Sequence, residues 1–422
     1  MLSAHRSGIF NWAAAGSLTI LLSSCSNLKA PNTLFISYGV DDSFSFKDEA
    51  ARIQSRIDNY TEAFQSSHPK TRLIFITYPS SKFVQQIEED SKLNLGPDLI
   101  VTDGFSAYEL LNRNLTTSLP DTKYFQAIYR SRFPWITNAT GEYTFAPWLL
   151  NPQIACFNNT KVKESPSTIQ ELEKLSASGR KIGLSTDPFN LIWTAGSTGA
   201  MAEISSLGNQ TESDQTFPAI RGWLKWLRKA ALYNNIDFYN NPRDLAKNLQ
   251  NNKLDWIPCW GIQIDELKSK MGNTLSVATL PNGLKSNASA FTWIYGIVLG
   301  KDSSKSQREM ALKFIKTTVN TVSQRKLQLG ESGLLAANQN VSIPPQSSKL
   351  LSALENSLNE GYYHYAKEWP GIFRWWFQGQ DSEEAMNRYR QLSITFTEFT
   401  NGYLDINEAV DILTRTKENG SS

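Results

Sequence analysis

The chain has 422 residues, enough for two or three domains with ample core, which excludes a single small module. Lysine and arginine total 42 against 40 aspartate and glutamate, a formal net charge of +2, so no uniform field draws nucleic acid, which is excluded as a partner. Hydrophobic residues at 40% and charged residues at 19% describe an ordinary globule rather than a disordered tail or a polytopic membrane protein.

The N-terminus carries the sharpest signal. His5 and Arg6 precede a short apolar stretch from Ile9 to Leu22, too short to span a bilayer. Leu22-Ser23-Ser24-Cys25 follows at once and resembles the lipobox of bacterial lipoproteins. That resemblance implies a signal peptide over 1–24, cleavage before Cys25, and diacylglycerol on its thiol, so that residues 25–32 tether a globule to the lipid bilayer. The expected location is the periplasm or the outer face of a bacterial cell membrane. An ordinary secretory signal with an incidental cysteine is the alternative, and it also exports the chain. Cleavage removes only Arg6 from the charged set, so the anchor would act through acyl chains rather than polybasic attraction.

Once Cys25 is assigned to lipid, only Cys156 and Cys259 remain, either paired in an oxidising compartment or buried as free thiols. The histidines are His5, His68 and His364, and the first leaves with the signal. A histidine metal cluster or histidine-based triad is therefore not expected, and no zinc spacing is present.

Along the mature chain, Leu34 to Tyr38 reads as a strand stopped by Gly39, Asp41 and Asp42. Ile53, Ile57, Tyr60 and Phe64 recur at helical spacing. Leu73 to Ile76 and Pro97 to Val101 are further strands, with Tyr108 to Leu111 in the helix after the third. Alternating strands and helices with continuously apolar strands predict an α/β fold with a mainly parallel sheet covered by helices on both faces. Ligands in such sheets bind beyond the carboxyl ends of the strands, here at Tyr38 to Asp42, Tyr78 to Ser81 and Thr102 to Phe105. The pattern restarts at Ile154 to Phe157 and predicts a second α/β lobe. Its elements are a capping box at Ser167 to Gln170, a strand at Lys181 to Leu184 and a helix at Asn190 to Ala202. Strands at Leu275 to Leu280 and Phe291 to Leu299 follow, then a helix capped by Ser306 to Glu309 and a last helix at Asp405 to Thr414.

Several pieces in order resemble the extracellular solute-binding proteins of sugar ABC importers, the maltose-binding-protein family. They are the lipobox, Gly-Pro-Asp-Leu-Ile-Val-Thr-Asp-Gly at 96–104, Phe145-Ala146-Pro147 leading to Ile154–Asn158, Asp255–Gly261 ending a strand in Trp260, and Gly333–Asn338. The resemblance implies two lobes with a ligand cleft between them: lobe one at 33–148 and 287–343, lobe two at 149–286 and 344–422. The crossings would fall near 147–152, 281–290 and 339–346. It implies a monomer without cofactor, metal or catalytic residues, which closes on a sugar or sugar glycoside and presents it to ABC permease subunits in the membrane. The chain holds no phosphate-binding loop of its own.

A sugar ring offers an apolar face and a rim of hydroxyls, so its site stacks aromatic rings and supplies polar acceptors. By matching positions, Asp103 is similar to the family's hydroxyl-binding aspartate, Asp41 and Asp42 stand after the first strand, and Asn151 and Trp148 lie at the crossover. Asp187 and Phe189 resemble the acidic-aromatic pair of lobe two, and the resemblance implies that Trp260 is the stacking ring. Trp369 and Trp375 belong to a C-terminal aromatic cluster, although Trp375 and Trp376 cannot both face one side of an element. Helix capping is the competing role for the aspartates, and core packing for Trp193, Trp223 and Trp226. Two other functions use similar residues: a lipid-anchored glycoside hydrolase, and a ferric-ion binder built on Tyr362, Tyr363 and His364.

Overall fold

The computed structural model describes residues 32–40, 58, 61–129, 136–138, 140–209, 216–330, 333–341, 344, 348–364, 366–376 and 382–415. The expected signal peptide, Cys25, Asp41 and Asp42 lie outside the described residues. No helix among the described residues is long and apolar enough to cross a membrane.

Lobe one starts with strand β1 (Asn32–Val40), β2 (Thr71–Pro79), helix α1 (Phe83–Lys92), β3 (Leu99–Asp103) and α2 (Gly104–Asn112). The apolar runs at 34–38, 73–76 and 99–101 become parallel neighbours in the order β2-β1-β3. Asp98 binds this edge together: buried, it accepts from the amide of Phe35 at 2.9 Å and the hydroxyl of Ser303 at 2.6 Å. Burial pushes its carboxyl pKa up. Gly96 lets the chain pass close to Asp302, whose carboxylate accepts from the Ser91 hydroxyl. After β4 (Thr116–Thr117) and α3 (Thr122–Tyr129), the chain enters β5 (Ala146–Asn158), thirteen residues buried along their whole length.

Lobe two continues with α4 (Ile169–Ala177), β6 (Ile182–Ser185), α5 (Pro188–Thr198), α6 (Met201–Asn209), α7 (Pro218–Ala231) and β7 (Ile236–Tyr239). Then come α8 (Arg243–Gln250), β8 (Trp256–Trp260), α9 (Ile264–Met271) and β9 (Leu275–Ala278). The chain returns through β10 (Thr292–Gly300), α10 (Lys305–Val319), α11 (Thr321–Gly330) and β11 (Leu335–Ala336). It ends in α12 (Lys349–Leu358), α13 (Trp369–Trp376), α14 (Ser382–Thr400) and α15 (Ile406–Thr414), which pack on α6, α7, β5 and β9 of lobe two.

The strands run in the order β2-β1-β3-β10-β5-β8-β6-β7, and β5 serves both lobes. Its first part, to Pro152, pairs antiparallel with β10 and β11; from Gln153 onward it pairs with β8 and β9. Pairing within β2-β1-β3 and β8-β6-β7 is parallel, and the strands from the crossing are antiparallel to it. The mainly parallel, helix-covered α/β fold is present in both lobes. Residues 281–291 remain hydrogen-bonded to lobe two: Ser197 Oγ donates to the carbonyl of Pro281 at 2.6 Å and Gln153 N to that of Phe291 at 2.9 Å.

Cys156 and Cys259 form a disulfide between β5 and β8, with Cα atoms 5.8 Å apart, which decides between the two expectations for these thiols. Both helix caps fall one or two residues from their expected places. Thr168, not Ser167, caps α4, because the carboxylate of Glu171 holds the Ser167 amide at 2.7 Å, a stronger acceptor than the Gln170 amide. Ser304 caps α10 with Gln307 closing the box. The single helix expected over 190–202 is two, separated at Gly199 with φ of +84°. Trp193, Trp223 and Trp226 are buried in lobe two, Trp223 donating to Thr194 Oγ1 at 2.7 Å.

Helix α13 seats on α6 through backbone contact. A Cβ on Gly208 would lie 1.7 Å from the carbonyl oxygen of Gly371, and one on Gly371 2.2 Å from that of Ser205. Gly371→Ala is expected to destabilise the protein by about 1–3 kcal/mol, the usual range for overpacking a close contact, measurable as a lower urea midpoint at unchanged m-value.

Candidate functional site

Among the described candidates, Asp103, Asp187 and Trp260 sit at or just past strand ends, Trp148 and Asn151 on the crossing strand β5, and Phe189, Trp369 and Trp375 on helices α5 and α13. Asp103 ends β3, and its side chain caps α2, Oδ1 accepting from Phe105 N at 2.8 Å and Ser106 N at 3.1 Å while Oδ2 accepts from Ser106 Oγ at 2.8 Å. The carboxylate is therefore occupied in fixing the turn that presents the next aromatic, Phe105. Removing such a cap costs about 1 kcal/mol, so Asp103→Ala should lower the urea midpoint modestly and loosen this turn.

On β5, Trp148 is the extra residue of a bulge, since Leu149 pairs with Tyr295 and Pro147 with Gly296. It packs in a separate cluster with Tyr38, Leu149, Leu327 and Leu334. Asn151 is buried at the crossing, its Oδ1 accepting from Ile262 N at 3.0 Å. Beside it the backbones of Gly261 and Gly333 touch: a Cβ on Gly333 would lie 1.7 Å from the Gly261 carbonyl oxygen. Asn151 thus stitches the turn after β8 to the crossing strand.

In lobe two, Asp187 caps α5, accepting from Asn190 N at 3.0 Å and Asn190 Nδ2 at 2.8 Å, and the hydroxyl of Tyr389 on α14 donates to its other oxygen. Burial, and then the neighbouring carboxylate, push the Tyr389 phenol pKa up, so it holds its proton and stays a donor. Asn190 passes the chain on, its Oδ1 accepting from the indole N–H of Trp260 at 2.9 Å. Tyr389, Asp187 and Asn190 together fix the Trp260 ring at the end of β8.

Around that ring lies an aromatic cluster drawn from both lobes and the crossing. Trp260 approaches Phe291 at 6.0 Å and Trp293 at 6.3 Å, and these two, alternate residues on one face of the chain, are 5.0 Å apart and perpendicular. Phe189 meets Trp293 at 4.8 Å, Phe291 at 5.0 Å and Trp376 at 4.7 Å. Trp369 packs on Phe291 at 5.4 Å and Phe373 at 5.4 Å. The indole N–H groups of Trp369 and Trp376 are buried with no hydrogen-bond partner among the described residues.

Of the expected aromatics, Phe189, Trp260 and Trp369 are brought together. Trp375 is not part of that wall: adjacent residues on a helix point about 100° apart. Its indole N–H donates at 2.8 Å to the Leu413 carbonyl, which also accepts from Arg388 at 3.0 Å, so this ring anchors α15 while Trp376 reaches Phe189 and Phe291. Phe291, Trp293, Phe373 and Tyr389 were not among the expected site residues; Phe105 entered only as the end of the span 102–105, and Trp376 only as the alternative to Trp375. The signal that could have found Phe105 was its place two residues past Asp103 at a strand's carboxyl end; for Trp293 it was the two-residue spacing from Phe291.

Two α/β lobes sharing a crossing strand, with an aromatic seam where the lobes meet, define a two-lobed ligand-binding protein. The profile of the bacterial extracellular solute-binding protein family matches residues 59–352, and the chain belongs to that family. Membership implies a periplasmic or extracellular location. No curated protein matches the chain. Among solved structures it is similar to the GacH receptor of Streptomyces glaucescens GLA.O, studied unliganded and with acarbose (TM-score 0.70, 12% identity, covering 91% of this chain and 97% of that one). It is similar also to the maltodextrin-binding protein MalE1 of L. casei BL23 (TM-score 0.68, 14% identity, 91% and 99% covered). A third likeness is to maltose-bound MalE of Listeria monocytogenes (TM-score 0.65, 13% identity, 91% and 97% covered). At these identities the likeness shows a shared fold.

Proposed function

We propose that the protein captures a neutral saccharide or sugar glycoside in the aromatic seam between its lobes and delivers it, unchanged, to the permease of an ABC importer. The observation that carries this reading is the wall of Phe189, Trp260, Phe291, Trp293, Trp369 and Trp376 with two buried, unpaired indole donors. Rings suit the apolar face of a sugar, and a ligand hydroxyl would satisfy donors that otherwise cost about 1–3 kcal/mol each. Neighbours of the same fold that bind acarbose and maltose support it. Closure favours the bound form only by the ligand's differential affinity for open and closed lobes. We place the lobe changes after Pro152, where the partner of β5 changes, and after Phe291, where β10 begins. Lipid attachment at Cys25 would hold the monomer beside its permease.

A hydrolytic role would need a raised-pKa acid facing an ionised partner. Asp103 and Asp187 instead serve as helix caps with their oxygens occupied, which favours binding without catalysis. For ferric ion, the candidate Tyr362 is buried with its ring stacked on Trp369 at 6.5 Å, which favours a packing role for it.

A thermal-shift screen of the protein from Ser26 against mono- to tetrasaccharides, sugar glycosides, amino acids and Fe(III) tests the proposal. A saccharide at about 100 times its Kd should add roughly 2.7 kcal/mol. Stabilisation by a non-sugar solute alone, or hydrolysis of the stabilising sugar, overturns it.

A further inference from the structure

The ring of Phe105 comes from lobe one, at the second residue of α2, yet lies against rings of lobe two and the crossing. Its centroid is 5.6 Å from Phe189, 5.0 Å from Phe373, 5.4 Å from Trp293 and 6.1 Å from Phe291. The Phe373 and Trp293 contacts are edge-on, at 82° and 79°, and the Phe291 contact is stacked at 16°. These are favoured aromatic geometries. The Asp103 cap fixes the backbone from which the ring projects.

We propose that Phe105 is a built-in competitor for the cleft: it seats on the same lobe-two aromatic wall that a solute's apolar face would use, and it latches the lobes together until solute displaces it. The inference rests on the reading of this seam as the solute site. The competitor is a side chain with two rotatable bonds, so it can leave the wall without unfolding α2. Each ring contact is modest, which makes the latch weak enough for a ligand to open. Phe105 thereby sets affinity, because solute binding must exceed what the ring already gains. It also favours solutes that cover the places of Phe189, Phe291, Trp293 and Phe373 at once over single small rings.

The test compares wild type, Phe105→Ala and Phe105→Leu, with Tyr108→Ala, a 61% exposed ring on the same helix, as control. Small-angle scattering and acrylamide quenching of tryptophan are measured first without saccharide, then maltotetraose is titrated. The latch predicts a larger radius of gyration and stronger quenching for Phe105→Ala, a smaller change for Phe105→Leu, none for Tyr108→Ala, and maltotetraose bound about ten-fold tighter by Phe105→Ala than by wild type. Scattering and quenching superimposable on wild type, or an affinity that falls, overturn the proposal. If the Phe105→Ala lobes open while no protein binds maltotetraose or any other saccharide, the latch stands and the saccharide reading fails. Should the alanine variant not fold, the leucine variant carries the same comparison.

Discussion

Trp260→Ala is expected to weaken saccharide binding by about a hundred-fold, close to 2.7 kcal/mol. The ring is only 8% exposed and held from two sides. Phe291 and Trp293 bound it at 6.0 and 6.3 Å, and Asn190 accepts its indole N–H at 2.9 Å. Alanine removes the stacking face and leaves Asn190 Oδ1, already buried, without its donor. Trp260→Phe keeps a stacking face and loses only the N–H, so its affinity should fall by about ten-fold or less. A cavity of this size also costs about 3–5 kcal/mol of stability, so binding must be read by calorimetry rather than from melting temperature alone. An unchanged affinity in Trp260→Ala would remove this ring from the site.

The second large effect concerns the Cys156–Cys259 disulfide, which closes a loop of 103 residues. In the chain-entropy account, a cross-link around a loop of about this length stabilises by about 4–5 kcal/mol, with measured losses for native disulfides of about 2–5 kcal/mol. Cys156→Ala/Cys259→Ala, or reduction of the wild type, should therefore shift the urea midpoint by more than any cap or glycine substitution named above. Affinity should fall as well. Cys259 immediately precedes Trp260, and Cys156 lies on β5, the strand common to both lobes, so the bond pins the Trp260 ring to the crossing. Equal urea midpoints for the oxidised and reduced protein would contradict this account. A disulfide so buried also fits a chain that matures outside the reducing cytosol.

Much of the fold was legible because apolar runs in a parallel sheet announce themselves. Leu34–Tyr38, Leu73–Ile76, Pro97–Val101 and Lys181–Leu184 fall on or beside β1, β2, β3 and β6, since strands buried on both faces need no polar alternation. Helix α14 went unread. Its 19 residues mix charged and hydroxyl side chains with apolar ones, and only its tertiary seat against α7 and α15 makes Leu392, Phe396 and Phe399 a buried stripe. The helix caps slipped by a residue or two because Ser and Thr precede Glu and Gln in overlapping registers, and only the three-dimensional competition for backbone amides selects one.

The site was harder. A phenylalanine or tryptophan in an apolar strand carries no local mark separating core from a ligand wall, so Phe291 and Trp293 read as strand residues, while Trp375 and Trp376 could not both face one side and the sequence did not say which turns toward Trp260. The carboxylates are ambiguous in a different way. Asp103 and Asp187 follow strands where polar ligand groups are common, but the first residues of a helix demand the same acceptor. Asn151 resembled a cleft acceptor, and its oxygen is used by the amide of Ile262.

Isothermal titration calorimetry of the protein from Ser26 against a panel of mono- to tetrasaccharides tests the central claim most directly. The account predicts saturable binding of at least one neutral saccharide at one molecule per chain, with a negative heat-capacity change from the aromatic surface it covers. No heat from any saccharide, from a protein that shows its cooperative urea transition, would contradict it.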